Sequence, residues 1–298
     1  MLLVLPVKPL APALFLACVA TVGALSRPPE KPIRGADQLV VLPRPELLHL
    51  FAAPWQTLVA DYYWILEVNQ LGRATTAAEH RDVTSYAQLA TDLDPLFYVA
   101  YYLGGIGTVF NLGREQWMNV EESTALIRKG LRAFPRDIKL RFQLGYNLGI
   151  LRRDAQAAAP IFEALSKEPG APKHLAPLAT RLYAEAGNFD AGVAMAEALR
   201  DAATDDETRA FYEQRLQELA SERVMQQVDA AVERHRQRTG QPPADVAALV
   251  SAGELPAVPE DPLGGTVELG PTGLARSTAA TYRLRTIRQY LKEKGLQP

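Results

Sequence analysis

The chain has 298 residues, a formal net charge of −2, 48% hydrophobic residues and 22% charged residues. That length allows one elongated array of repeats or two domains, and the composition is that of a folding chain, which excludes wholesale disorder and a multi-span membrane protein. Near-neutral charge offers no concentrated basic surface for nucleic acid, and a single cysteine, Cys18, excludes intramolecular disulfides and cysteine-based zinc or iron–sulfur sites.

Residues 1 to 26 hold one charged side chain, Lys8, and from Pro9 to Leu25 apolar or small residues run without a break. As a helix this run reaches about 26 Å, near the short limit for a bilayer core of roughly 30 Å. An uncleaved anchor fits the abrupt polar border Ser26-Arg27-Pro28-Pro29-Glu30-Lys31-Pro32. A cleaved signal peptide fits the small residues Val22-Gly23-Ala24. Phe15-Leu16-Ala17-Cys18 resembles a bacterial lipobox, but it departs from that pattern in the residue before the cysteine and in the apolar stretch after it. The bland alternative is a cytoplasmic chain whose apolar start packs on its own core. The expectation is a body outside the cytoplasm, although Arg27, Lys31 and Arg34 taken alone favour the reverse orientation.

Residues 27–45 read as a linker, with Gln38 to Pro45 extended and at most one brief strand. Helical periodicity follows from Glu46 to Leu71, with Leu47, Leu50, Phe51, Leu58, Tyr62, Ile65 and Val68 assigned to one apolar side and Pro54 kinking or splitting the helix.

Laying the chain on itself at a shift of 34 residues pairs 138–171 with 172–205. Leu144 then matches Leu178, Gly145 matches Ala179, Leu148 matches Leu182, Ala157 matches Ala191, Ile161 matches Met195 and Ala164 matches Ala198. Small residues are needed where the two helices of a hairpin cross. Pro135 lies 34 before Pro169, with Gly130 and Ile127 preceding it. The helix Phe97 to Phe110 joins the series, with Gly105 at its close contact, if about six residues around Leu112 to Trp117 are an insertion. Leu93-Asp94-Pro95, after Ala87 and Ala90, closes another unit.

This pattern resembles the tetratricopeptide (TPR) repeat. The resemblance implies an all-α, right-handed helical-hairpin solenoid of roughly four helix pairs over residues 46–205. The first helices of the pairs would then line a concave face carrying Tyr102, Lys139, Phe142, Tyr146, Lys173, Thr180 and Tyr183. Aromatics beside lysines suit a peptide of acidic character. The alternative is that these side chains pack against the chain's own first helix or C-terminal segment.

Residues 206–240 read as an acidic stretch, Thr204 to Glu213, merging into a long helix from about Phe211 to Arg238 that ends at Gly240. Residues 241–298 have a different texture. A short helix Ala244 to Ser251, then Gly253-Glu254-Leu255-Pro256 and Asp261-Pro262-Leu263-Gly264-Gly265, resembles the C-terminal parts of type II secretion pseudopilins. The resemblance implies a tight turn into Val267-Glu268-Leu269 and a return through Leu274 to Ser277, a two-stranded appendage. It lacks the acidic cluster of a calcium loop. A final basic amphipathic helix, about Thr278 to Lys294, has Leu284, Ile287 and Leu291 on one face and Arg283, Arg285, Arg288, Lys292 and Lys294 around the rest. It suits anionic lipid, an acidic partner, or closure of the array.

The sequence contains no recognisable catalytic constellation. His49, His80, His174 and His235 lack metal-ligand spacing, and there is neither a nucleophile elbow nor a phosphate-binding glycine loop. Gly104-Gly105-Ile106-Gly107 lies inside a helical pattern, and Phe110 takes the place of a third glycine. Asp61 stands out as a polar residue in an apolar helix and is expected to hydrogen-bond a neighbouring helix. No cofactor, metal or small-molecule substrate is expected.

Apolar segment, repeats and appendage, with Ala60-Asp61-x-x-Trp64, Leu93-Asp94-Pro95 and Asp261-Pro262-Leu263-Gly264-Gly265, together resemble bacterial envelope TPR proteins associated with type IV pilus, type II secretion or exporter machinery. The resemblance implies a non-enzymatic scaffold at the inner membrane with its body in the periplasm and pilus, secretion or ABC transporter components as partners. An envelope structural or accessory lipoprotein without a pilus connection is the competing expectation.

Overall fold

Prolines and capping residues set most of the helix boundaries. The computed structural model describes residues 40–113, 116–280 and 283–284. Pro45 opens helix α1 (Pro45–Ala52), where its missing N–H and fixed φ suit a first turn. Pro54 then separates α1 from α2 (Gln56–Leu71), splitting the helical stretch as its sequence requires. Thr76 and Glu79 form a reciprocal capping box that starts α3 (Ala77–Leu93). After Asp94-Pro95, α4 runs from Tyr98 to Thr108.

Where an insertion was expected, around Leu112 to Trp117, β1 (Phe110–Asn111) pairs antiparallel with β2 (Trp117–Met118). β2 leads into α5 (Val120–Ala133). Asp137, Asp154 and Asn188 each accept a backbone N–H and cap α6 (Ile138–Tyr146), α7 (Ala155–Ser166) and α9 (Phe189–Asp201). α6 continues into a π turn, Asn147–Leu151, and α8 spans Leu175–Glu185.

Short connections make successive helices antiparallel neighbours, and each packs on the one before and the one after, from α2 through α10. Alternate helices also touch: α2 meets α4, α4 meets α6, and α3 meets α5. The apolar interior follows this order as a string of local clusters. One joins Ala60, Tyr63, Leu89, Ala90 and Leu93, the next Ala87, Tyr101, Leu126, Ile127 and Leu140, and a third gathers around Phe162, Leu165, Ala179 and Leu182.

The small residues picked out by the 34-residue repeat sit where helices cross closely. A Cβ on Gly130 would lie 2.9 Å from the Tyr101 ring and one on Gly145 3.0 Å from Phe162, while one on Gly105 would run into Ile127. Gly104, next in the chain, is just as confined, 2.6 Å from the Ala87 Cβ and 2.9 Å from Leu126. Gly104→Ala is therefore expected to cost about 1–3 kcal/mol by overpacking, read as a lower urea midpoint at unchanged slope. A neutral result would show that α3 and α4 separate without penalty.

One sequence expectation is reversed. The apolar side assigned from Leu47, Leu50, Leu58, Tyr62, Ile65 and Val68 faces outward: each is at least 41% exposed. α2 instead buries the opposite side, with Ala60, Tyr63 and Glu67 against α3 and α4. Periodicity located two faces but not which one turns inward, because the small Ala60 permits the closer approach to α3.

α10 (Asp206–Thr239) starts five residues before the expected Phe211, because Asp205 caps it and acidic Asp206 and Glu207 favour the positive end of the helix dipole. Gly240, at φ 75°, ends it in the left-handed conformation. Asp245 caps α11 (Val246–Ser251). β3 (Val267–Leu269) pairs antiparallel with β4 (Ala275–Ser277) in the register Val267 opposite Ser277. The expected appendage is thus present, and Met225, Val228, Ala231, Val246, Leu249, Val267 and Ala275 form its core against α10.

The expected final helix does not begin at Thr278. Residues 278–280 form a bend, held by the Ser277 hydroxyl accepting N–H bonds from Ala279 and Ala280. From 285 onward it lies outside the described residues, as do the segment 1–26 and the linker as far as 39. Among the described residues no helix is long and apolar enough to cross a membrane.

Candidate functional site: an aromatic and lysine surface on α4 and α6

Tyr98 and Tyr102 stand one turn apart on α4 and stack at 6.1 Å between centroids with an 11° interplanar angle. Across the helix boundary, the Lys139 ammonium of α6 lies 5.6 Å from the Tyr102 ring centroid, a cation–π distance. The Tyr98 hydroxyl donates to Asp137 at 3.2 Å, and the same Asp137 oxygen accepts the Leu140 N–H at 2.8 Å. Burial, then the neighbouring Asp137 charge, pushes the Tyr98 pKa up to about 12, so it remains a neutral donor. Asp137 is thereby committed to the fold, while Lys139 is exposed and its ammonium has no hydrogen-bond partner among the described residues.

Further along α6, Phe142 is 37% exposed and packs edge-on against Phe162 at 5.6 Å. Tyr146 follows one turn later and is half-buried. Tyr102, Lys139, Phe142 and Tyr146 therefore belong to two touching helices. Tyr98 and the exposed Ile106 and Ile138 extend the surface. The sequence signal for Tyr98 was its position four residues before Tyr102, on the same helix face.

The other three expected residues lie elsewhere. Thr180 is completely buried, its hydroxyl donating to the Pro177 carbonyl at 2.9 Å, so it lines no open face. Tyr183 is buried in the α7–α8 core, and its hydroxyl donates to Glu163 at 2.5 Å. Burial and that carboxylate push its pKa up to about 12. Lys173 is exposed in the connection before α8, where its charge acts on Asp205 rather than on the aromatic patch. Thr180 and Tyr183 both lie on α8, which buries these two side chains, whereas Tyr102 on α4 and Phe142 on α6 reach the surface.

Apart from this surface, a shallow groove of about 410 Å³ lies between the start of α11 and β3, lined by Asp245, Val246, Val258, Val267, Glu268 and Leu269. Its two carboxylates are occupied: Asp245 caps α11, and Glu268 pairs with Arg276 at 2.8 Å. Among the described residues no three His, Cys, Asp or Glu side chains are grouped to hold a metal ion. His80 is tied to the Gly107 carbonyl at 2.6 Å and lies against Phe110. What the α4–α6 surface offers is one exposed phenylalanine ring, half-buried tyrosine rings and an exposed lysine ammonium, groups suited to holding a ligand.

Comparison with known protein families, with curated proteins and with solved structures finds no match to this chain.

Proposed function

We propose that the chain is a non-enzymatic protein–protein interaction scaffold of the bacterial cell envelope, built as a TPR-like right-handed solenoid of helical hairpins, whose α4–α6 surface holds an acidic peptide segment of a partner. The supporting observation is the exposed Lys139 ammonium over Tyr102, flanked by the Tyr98 stack and by Phe142. The 34-residue repeat and the close packing at Gly105, Gly130 and Gly145 support the solenoid. The apolar run Pro9 to Leu25 supports anchoring at the inner membrane with the body in the periplasm. The resemblance to envelope TPR proteins makes type IV pilus, secretion or ABC transporter components the proposed partners.

The test is an affinity pull-down of the full chain from gently solubilised membranes, comparing wild type with Tyr102→Ala and Lys139→Glu. Lys173→Ala serves as a charge control away from the patch. Pilus, secretion or transporter components are expected with wild type and with the control. Their recovery should fall about tenfold or more in the two patch variants, since losing an aromatic or charged anchor costs about 2 kcal/mol and 1.4 kcal/mol is tenfold. Recovery unchanged by both patch variants, with helical content preserved, would leave a structural envelope protein that does not use this surface.

A further inference from the structure

α2 presents an apolar seam to solvent. Trp55, Leu58, Tyr62 and Ile65 are 64%, 50%, 41% and 51% exposed. Their spacing is three, four, three, the a/d repeat of a helix that packs along another helix. Asn69 continues the repeat, and the buried Ala60, Tyr63 and Glu67 occupy the back of the same helix, already committed to α3 and α4. Beside the seam, one turn apart on each side of Ile65, lie Asp61 and Val68, both at the flanking g position of that repeat. Asp61 is exposed and has no hydrogen-bond or ion-pair partner among the described residues, contrary to the interhelical bond expected from the sequence. In such seams, charges at flanking positions choose the partner and its direction.

Three occupants from outside the chain fit an apolar face of this size. A bilayer would place the Asp61 carboxylate against hydrocarbon, and the face carries no lysine or arginine to meet headgroups. A second copy of the chain offers Asp61 no cation in either direction. Paired parallel, Asp61 would face Leu66, which is packed into the chain's own core. Paired antiparallel about Asp61 and Tyr62, the midpoint of the Trp55 to Val68 face, the two Asp61 carboxylates approach each other beside the seam. A helix from a different protein can supply the missing cation.

We infer that the outer face of α2 is one half of a helix–helix interface, and that its occupant is an amphipathic helix of another protein carrying apolar residues at three–four spacing and a Lys or Arg opposite Asp61. The site differs in sign from the α4–α6 surface, which offers an ammonium, so the two surfaces take different ligands. The face spans 13 residue steps, about 20 Å, enough for three turns of a partner. Tyr62, near the middle of the face, and Trp55, at its start, provide rigid aromatic anchors of the kind that dominate binding.

The experiment is photocrosslinking in the native host from the full-length chain carrying Tyr62→p-benzoylphenylalanine, with the cross-linked peptide sequenced by mass spectrometry. The expected result is an adduct to a different protein, through a segment with apolar three–four spacing and a Lys or Arg within one turn of the crosslink. Adding Asp61→Lys should lower its yield at least tenfold, and changing the identified partner cation to Glu should restore it. Because Asp61 is exposed and unpaired among the described residues, that variant keeps its fold, which circular dichroism verifies. An adduct only to a second copy, an adduct only to lipid, no adduct, or a yield indifferent to Asp61→Lys each overturns the inference.

Discussion

Arg283→Ala is expected to destabilise the α10–hairpin unit by about 3–5 kcal/mol, the cost of breaking a buried ion pair from one side. The Arg283 guanidinium donates to both oxygens of Glu222, at 2.6 and 3.0 Å, to Asp229 at 2.7 Å and to the Ala275 carbonyl at 2.9 Å. The Arg283 and Glu222 side chains are only 8% and 3% exposed. Glu222 also accepts the Leu284 N–H, and Asp229 accepts the Ala275 N–H at 2.7 Å. The cluster therefore ties the end of the described chain, and strand β4, to the middle of α10. Removing the guanidinium leaves the Glu222 carboxylate buried without a counter-charge. The double variant Glu222→Leu/Arg283→Met should recover most of the loss, because an apolar pair has no charge to desolvate. The check is urea denaturation together with hydrogen exchange of residues 255–277. A loss of protection confined to the hairpin means that the unit opens locally, and a lower global midpoint means that it unfolds with the rest. An unchanged midpoint and unchanged exchange would show that the cluster holds nothing together.

The hairpin has a second tie that depends on the Asp261-Pro262-Leu263-Gly264-Gly265 turn. The Asp261 carboxylate accepts the Ser221 hydroxyl at 2.8 Å and the Leu263 N–H at 3.1 Å, and it also accepts the Ser277 hydroxyl. Those bonds outweigh its burial and hold its pKa below the usual carboxylate range. The turn itself closes with Gly264 N–H on the Asp261 carbonyl at 2.9 Å, in the left-handed conformation that glycine adopts freely. The motif was visible in the sequence as a turn. Its role as a buried acceptor joining α10 to β4 was not, because Ser221 lies 40 residues away.

That contrast describes much of what the sequence revealed. Local signals carried well: Pro54 split the first helix, Gly240 ended the long one, and the strands fell at Val267 and Ala275. Close-contact positions carried too, because small residues are a steric necessity where two helices cross closely, as at Gly105, Gly130 and Gly145. Depth did not carry. Thr180 and Tyr102 were both expected on one open face, yet Thr180 is sealed in the core while Tyr102 reaches the surface with Lys139 above it. Nor did the direction of an amphipathic face: α2 turns its richer apolar side outward and buries an alanine, a tyrosine and a carboxylic acid. Arg283 looked like one cation among several on a terminal helix, and its carboxylate partners lie 54 and 61 residues earlier in the chain.

Glu67 yields the second large expected effect, a stability that falls as pH rises. Its carboxyl group is fully buried between α2 and the α3–α4 crossing, beside Gly104, and neither oxygen has a hydrogen-bond partner among the described residues. With no charge to answer it, burial pushes the Glu67 pKa up to about 9. The unfolded chain releases that proton near pH 4.3. Between these values the folded state binds the extra proton, so stability is greatest below about pH 4.3 and declines by up to about 1.4 kcal/mol per pH unit toward 9. Glu185, whose pKa burial raises to about 7 against the pull of Arg181 and Arg153, contributes a slope of the same sign over the lower part of this window. Comparison with a variant therefore isolates Glu67. Glu67→Leu should be more stable than wild type at neutral pH, and its advantage should widen from pH 5 to pH 8.5. Urea midpoints at three pH values measure this directly. Parallel curves would mean that the Glu67 carboxyl reaches a charge partner or water and ionises in place, and an advantage for wild type at every pH would mean that Leu does not fit beside Gly104.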